Sequence, residues 1–229
     1  MTRNGVWIQN PTDMAQGIDM SHHQGAQFPW ETLLERNPIR LQFAFIRASQ
    51  GVFQDRQWQR NVAECERLDI PFGLYHYLRE DVHPQRQAGL FAGIVRDQPL
   101  SLPAVLDVEQ NLSGRRPTNA QVRAFYDTYH AACGHPLILY TSYSEWWAST
   151  GGAGWAANAG IGLWAHDARN KRPVLPIGWR NWLFWQYSIS GRLAGYEGPL
   201  DLNRFNGSMV ALRAQIGAWN QYRSDADEG

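Results

Sequence analysis

Apolar positions change period along the chain, and the change marks out the elements. Alternation with a period near two, the signature of a strand with two different faces, is followed repeatedly by amphipathic segments of period 3.6. Strands are predicted over residues 16–21 (QGIDMS), 41–49 (LQFAFIRAS), 71–78 (PFGLYHYL), 102–109 (LPAVLDVE) and 137–142 (LILYTS). Helices are predicted over 29–37, with Pro29 in the first turn, over 55–68, capped by Asp55, over 83–96, and over 118–133, which opens on the box Thr118-x-x-Gln121. A short helix over 145–149 completes a fifth strand-helix unit. After it helical periodicity thins, and IGLWAH, NWLFWQYS and GPLDLN predict three further strands before a last helix over 208–219.

Repeated strand-helix alternation implies parallel pairing with right-handed crossovers. Five such units and three more strands make eight, enough to close. The expected architecture is therefore α/β, a single irregular TIM-like barrel of (β/α)5 followed by three further strands. An open doubly wound sheet is the rival, but DMSHHQG after the first strand is not the Gly-rich phosphate turn that such sheets carry. Residues 14–222 form the expected barrel domain, with an amino-terminal extension over 1–13 and a polar tail over 223–229.

The stretch LPAVLDVEQN, from Leu102 to Asn111, starts as buried strand and ends in two carboxylates separated by one residue. Residues i and i+2 of a strand share a face and lie about 7 Å apart at their α-carbons, from a rise of about 3.3 Å per residue. Charging Asp107 and Glu109 side by side in a half-buried place is costly, which raises the pKa of one of them. Polar residues recur at the carboxyl ends of the other strands: Asp19, Gln50, Tyr75 with His76 and Tyr77, Trp164 with His166, Trp185 with Gln186, and Asp201 with Asn203. In a barrel that end is where chemistry sits, so these positions predict one site.

Composition narrows the setting. Hydrophobic residues are 44% and charged residues 18%, an ordinary globular mix, and the formal net charge is zero, which gives no electrostatic case for nucleic acid or an anionic membrane. No apolar run approaches the roughly 18 residues of a membrane helix, so no membrane insertion is expected. The first residues, MTRNGVWIQNPTDMAQ, lack an apolar stretch behind their Arg, which predicts no signal peptide and residence in the cytoplasm of the producing or infected bacterium until release. Cys65 and Cys133 match no metal or redox spacing and read as buried thiols. The 11 Trp are mostly core filling, with a few expected to stack on sugar faces.

The ordered motifs GIDMSHHQG, FAFIRASQG, FGLYHY, AVLDVE, LILYTS, LWAHD, FWQYS and GPLDLNRF resemble those of the glycoside hydrolase family 25 (Chalaropsis-type) lysozymes, from about Gln16 to Phe205. The resemblance implies hydrolysis of the β-1,4 bond between N-acetylmuramic acid and N-acetylglucosamine in peptidoglycan, without a cofactor or metal. It implies Glu109 as proton donor, Asp107 as the group that stabilises charge or orients the 2-acetamido group, and Asp19 and Asp201 completing an acidic floor. It favours Tyr75 and Tyr77 near the reacting sugar, and the further candidates for glycan contact are His76, Gln50, Tyr140, Trp164, Trp185, Gln186 and Asn203, with at least one of the strand-end rings Trp164 and Trp185 expected to face the groove. Two positions depart from the family pattern. Gln50 stands where a Glu is common, which predicts that Glu109 loses its proton at a lower pH than in a relative carrying that Glu, and Asp167 stands where a Tyr is common.

The leading reading is thus a monomeric muramidase acting on bacterial peptidoglycan strands, in the setting of a phage or prophage endolysin. Two other classes compete. A non-catalytic glycan-binding module of a phage particle would be expected to lose the acid, and Glu109 is present. A metal-dependent hydrolase using Asp19, His22, His23, His76 and His166 would need a ligand spacing that the chain does not show.

Overall fold

In a computed structural model of the protein, residues 13–38 and 40–227 are described, with side chains up to residue 221. The expected extension over residues 1–13 lies outside them but for Asp13, while the last helix runs to Asp227, through most of the expected tail. The described strands are β1 (Gln16–Met20), β2 (Ala44–Gln50), β3 (Phe53–Gln54), β4 (Phe72–Tyr77), β5 (Ala104–Asp107), β6 (Leu137–Thr141), β7 (Leu163–His166), β8 (Phe184–Gly191) and β9 (Leu200–Phe205). The α-helices are α1 (Trp30–Arg36), α2 (Trp58–Arg67), α3 (Pro84–Arg96), α4 (Asn119–Ala132), α5 (Tyr143–Thr150), α6 (Trp155–Asn158) and α7 (Met209–Asp227). The sheet runs β1-β9-β8-β7-β6-β5-β4-β2 and closes through a parallel β1–β2 pairing, with β3 a short antiparallel addition to β2.

Two cores alternate along the strands with the period of the pleat. Ala44, Ile46 and Ala48 of β2, Leu74 of β4, Ala104 and Leu106 of β5 and Leu139 of β6 join the outer core with Phe91 of α3 and Phe125 of α4. The residues between them, Phe45, Tyr75, Val105, Ile138 and Tyr140, fill the barrel with Trp164, Phe184 and Phe205. Inside, Phe45 stacks on Trp164 at 4.4 Å and meets Phe184 edge-on at 4.9 Å. Room for these rings comes from β4, where a Cβ on Gly73 would lie 2.7 Å from the Phe45 ring and 2.7 Å from the Pro103 carbonyl oxygen.

The capping box predicted at Thr118 is present, with the Gln121 amide donating to Thr118 Oγ1 at 3.3 Å. Cys65 and Cys133 are free and buried. Two local expectations are corrected. Strand β9 pairs antiparallel with both β8 and β1. Only residues 192–199 separate it from β8, too few for the dozen-residue crossover that a parallel return needs. Helix α2 begins at Trp58 and has no side-chain cap, because Asp55 is engaged elsewhere. The short elements β3 and α6 do not emerge from the sequence pattern, since two and four residues span too little of a period.

Candidate active site

Each inward-facing column of the barrel ends in a polar side chain at one mouth. On β1 Gly17 is followed by Asp19, on β2 Phe45 by Arg47, on β4 Tyr75 by Tyr77, on β7 Trp164 by His166 and on β8 Phe184 by Gln186. Strand β9 runs the other way and therefore brings its first residues to the same mouth, with Asp201 directly opposite Asp19 in register. On β5 the inner column is Val105, Asp107 and then Glu109, two residues past the strand's end. The pleat persists that far because the Val108 amide donates to the Tyr140 carbonyl at 2.9 Å and Val108 stays in the outer core. Beyond it Asn111 fastens the loop, donating to the carbonyls of Leu78 at 3.0 Å and Glu109 at 3.2 Å and accepting from the Glu80 amide at 3.0 Å.

Asp19, Asp107, Glu109 and Asp201 thus line one cavity of about 310 Å³. Asp19 is held by a hydrogen-bond chain with a fixed direction. An indole can only donate, so Trp164 Nε1 turns Asn203 Oδ1 towards itself at 2.8 Å and leaves Asn203 Nδ2 to donate to Asp19 Oδ2 at 2.7 Å. On the other side Tyr140 donates to Gln186 Oε1 at 2.8 Å, and Gln186 Nε2 donates to the same Asp19 oxygen at 2.8 Å. Burial raises the pKa of Asp19 to about 6 against these donors. Asp201 is pushed up to about 8, by burial and then by the Asp19 charge.

Glu109 is raised to about 7, first by burial, then by the charges of Glu145 and Asp19, with Arg47 pulling the other way. Asp107 is raised well above the carboxylate range, first by burial and then by the Glu109 and Asp19 charges, and its Oδ1 meets no protein donor. The sequence predicted that one of the pair would be raised. The structure raises all four acids, so they titrate as a group that holds protons near neutrality.

The substrate-contact residues separate into two sets. Tyr75, Tyr77, Tyr140, Trp164 and Gln186 line the acid cavity, and Asn203 lies just behind it on Asp19. Tyr75 and Tyr77 share the inner face, opposite His76 as the pleat requires. Three residues fall elsewhere. His76 is fully buried on the outer side of β4, packed against Phe91 and Phe125, with Nε2 on Gln87 Oε1 at 3.0 Å and Nδ1 on Ser49 Oγ at 2.8 Å. It is a core histidine, held neutral by burial with a pKa of about 4. Trp185 also faces outward, its Nε1 on the Asp167 carbonyl at 2.9 Å and its ring under the Arg204 guanidinium. Gln50 lines a neighbouring cavity of about 320 Å³ with His22 and Asp55, so the electrostatic role expected for it beside Glu109 belongs to Arg47 instead.

Arg47 and Glu145 are the residues that sequence reasoning missed, and His23, weighed there only as a metal ligand, joins the cavity lining. Arg47 was legible: after Phe43 and Phe45 it is the next inward position of its strand, and a cation there must face the barrel mouth. Asp167 folds its own loop, accepting from the amides of Arg169 at 3.1 Å, Asn170 at 3.2 Å and Val174 at 3.0 Å. Of the histidines considered as metal ligands, His23 and His166 line the acid cavity, His22 lines its neighbour and His76 lies in the outer core, and among the described residues no group of three or more His, Cys, Asp or Glu is arranged to hold a metal ion.

Comparison with known proteins places this arrangement. The family model described as glycosyl hydrolases family 25 matches residues 18–196. Lysozyme M1 of Streptomyces globisporus is 33% identical over 216 residues, covering 89% of this chain and 71% of the relative. The N,O-diacetylmuramidase of Arthroderma benhamiae is 26% identical over 218 residues, covering 90% and 88%. Among solved structures, the bacterial lysozyme from Streptomyces coelicolor superposes with a TM-score of 0.80 at 32% identity, covering 91% of this chain and 99% of that one.

Proposed function

Because this chain belongs to glycosyl hydrolase family 25, we propose that it is a muramidase that hydrolyses the β-1,4 bond between N-acetylmuramic acid and N-acetylglucosamine of bacterial peptidoglycan. The lysozyme and muramidase names of its relatives support the substrate. The observation that carries the reading is the column on β5, which sets Asp107 and Glu109 on one face of the cavity, both raised by burial and Glu109 to about 7.

Glycoside hydrolysis needs an acid at the leaving oxygen and a group that answers the positive charge developing at the anomeric carbon. Glu109 is the proton donor. It is the outermost of the pair, partly open to the cavity, and a carboxyl with a pKa of about 7 is mostly protonated at pH 6 yet gives up its proton readily. Asp107 lies deeper, with an oxygen that no protein group occupies, and serves the 2-acetamido group or the anomeric carbon itself. Asp19, clamped by two amides, carries the negative charge that favours an oxocarbenium-like centre.

Glu109→Gln keeps the shape and removes the proton. It is expected to bind purified glycan strands as the natural chain does while releasing reducing ends roughly 10²- to 10⁴-fold more slowly. Retention of more than about a tenth of the rate would remove Glu109 from this role. A chain that binds glycan but never cuts it, with Glu109 intact, would favour the binding-module reading.

A further inference from the structure

Arg47 is the one Lys or Arg among the residues lining the acid cavity, yet it pairs with none of the acids there. Its partner is Asp55, from the segment leading into α2. Arg47 Nε donates to Asp55 Oδ2 at 3.1 Å, and Arg47 Nη2 lies 2.7 Å from His22 Nδ1, which is itself 2.8 Å from Asp55 Oδ2. Asp55 is fixed in turn by the amides of His22 at 3.0 Å and Gln57 at 2.9 Å, and its side chain is 1% exposed. Arg47 therefore forms the wall between the acid cavity and its neighbour, tethered from the far side.

We propose that Asp55 is a positioning residue for the glycosidase reaction, whose carboxylate holds the Arg47 guanidinium back from Asp107 and Glu109 and so keeps Glu109 in its acid form. The inference rests on the glycosidase reading of the cavity. Its physical basis is competition. A guanidinium beside several partly desolvated carboxyls gains strongly by forming a forked pair with one of them in its ionised form. Such a pair would draw the proton off the donor at a lower pH. Asp55 satisfies that demand first, through a buried carboxylate that the Gln57 amide, the His22 ring and amide, and then Arg47 hold below its usual pKa.

The other charges around Glu109 do not supply this restraint. Asp19 from β1, Asp107 from β5, Glu145 from α5 and Asp201 from β9 are all acids, and they act together to attract the guanidinium. His23, from the turn after β1, and His166 of β7 line the cavity with pKa values lowered, first by burial, which favours their neutral forms. Tyr77 and Tyr140 are neutral phenols raised by burial. Among the described residues Arg47 is thus the one strong cation lining the acid cavity itself, with Arg169 in the adjoining cavity that Glu109 shares and Arg116 engaged by Glu145.

The test is a double-substitution cycle read as rate against pH on a soluble glycan, with melting curves to verify folding. Asp55→Asn frees Arg47 and is expected to move the alkaline limb to lower pH by about 0.5–1 pH unit, the size of one charge brought closer through a medium of intermediate dielectric. Asp55→Glu, which restores the carboxylate, is expected to return the limb most of the way. Arg47→Gln is expected to move the limb upward, and adding Asp55→Asn to it should change nothing more, because the other side chain that Asp55 holds, His22, lines the neighbouring cavity and not the acid one. That double variant also removes both buried charges together, so it remains informative where the single Asp55→Asn chain does not fold. An unmoved or upward-moved limb in Asp55→Asn, or a double variant whose limb differs from that of Arg47→Gln, overturns the inference. A natural chain that cuts no glycan at any pH overturns the glycosidase reading instead.

Discussion

Glu109 and His76 lie on neighbouring strands and titrate in opposite directions for the same reason, burial, which disfavours whichever form is charged. What distinguishes them is the company each keeps. His76 has both ring nitrogens satisfied by Ser49 and Gln87, whereas Glu109 feels Glu145 and Asp19 against Arg47. Glu145 is itself partly neutralised by Arg116, which grips it with two hydrogen bonds of 2.7 and 3.1 Å. Arg116→Gln should therefore expose Glu109 to more negative charge and move the alkaline limb of the rate profile upward by a few tenths of a pH unit, on the order expected for a solvent-screened pair. The shift should shrink in high salt. A limb that moves down would mean that Arg116 acts on the site by another route.

At the scale of the element, the pleat made most of the site readable. It placed Asp107 with Glu109, and Tyr75 with Tyr77, on the inner face because each pair is two residues apart. The same rule puts His76 and Trp185 on the outer face. The expectation for them failed where nearness to a strand end was allowed to outweigh the alternation. Gln50 was illegible for a different reason: the pairing of β2 with β4 shifts register between Arg47 and Ser49, so counting by twos from Phe45 no longer gives its direction. The inner rings also depend on a residue that offers nothing to pack. Gly73→Ala would set a methyl 2.7 Å from both Phe45 and a backbone carbonyl, and is expected to cost about 1–3 kcal/mol, as overpacking does. Urea unfolding measures it, and a loss below about 0.5 kcal/mol would show that Phe45 can retreat freely.

For the whole molecule the acid cluster sets a conflict between activity and stability. A carboxyl whose folded pKa is raised stabilises the fold while protonated, and that contribution is lost as pH rises through the folded value. For Glu109 and Asp201 the loss extends through about 7 and about 8. His76, lowered to about 4, works in the opposite direction, but its contribution is complete above the ordinary histidine range of about 6.5. Between pH 6.5 and 8 the acids are unopposed, so the melting temperature should fall as pH rises. Glu109→Gln should flatten part of that fall and be the more stable chain at pH 8, by about 1–3 kcal/mol, with the advantage gone near pH 4 where the carboxyl is neutral in both states. A variant less stable than the natural chain at pH 8 would deny that the site carries this strain.

The bond proposed to be cut in the cavity is reported most directly by the products of purified peptidoglycan. After digestion and borohydride reduction, mass spectrometry of the soluble fragments should find the new reducing end on N-acetylmuramic acid, with the stem peptides still attached to their sugars. Reduced N-acetylglucosamine ends, peptides freed from glycan, or no soluble product at any pH between about 4, the ordinary carboxylate range, and about 8, the value of Asp201, would contradict that cut.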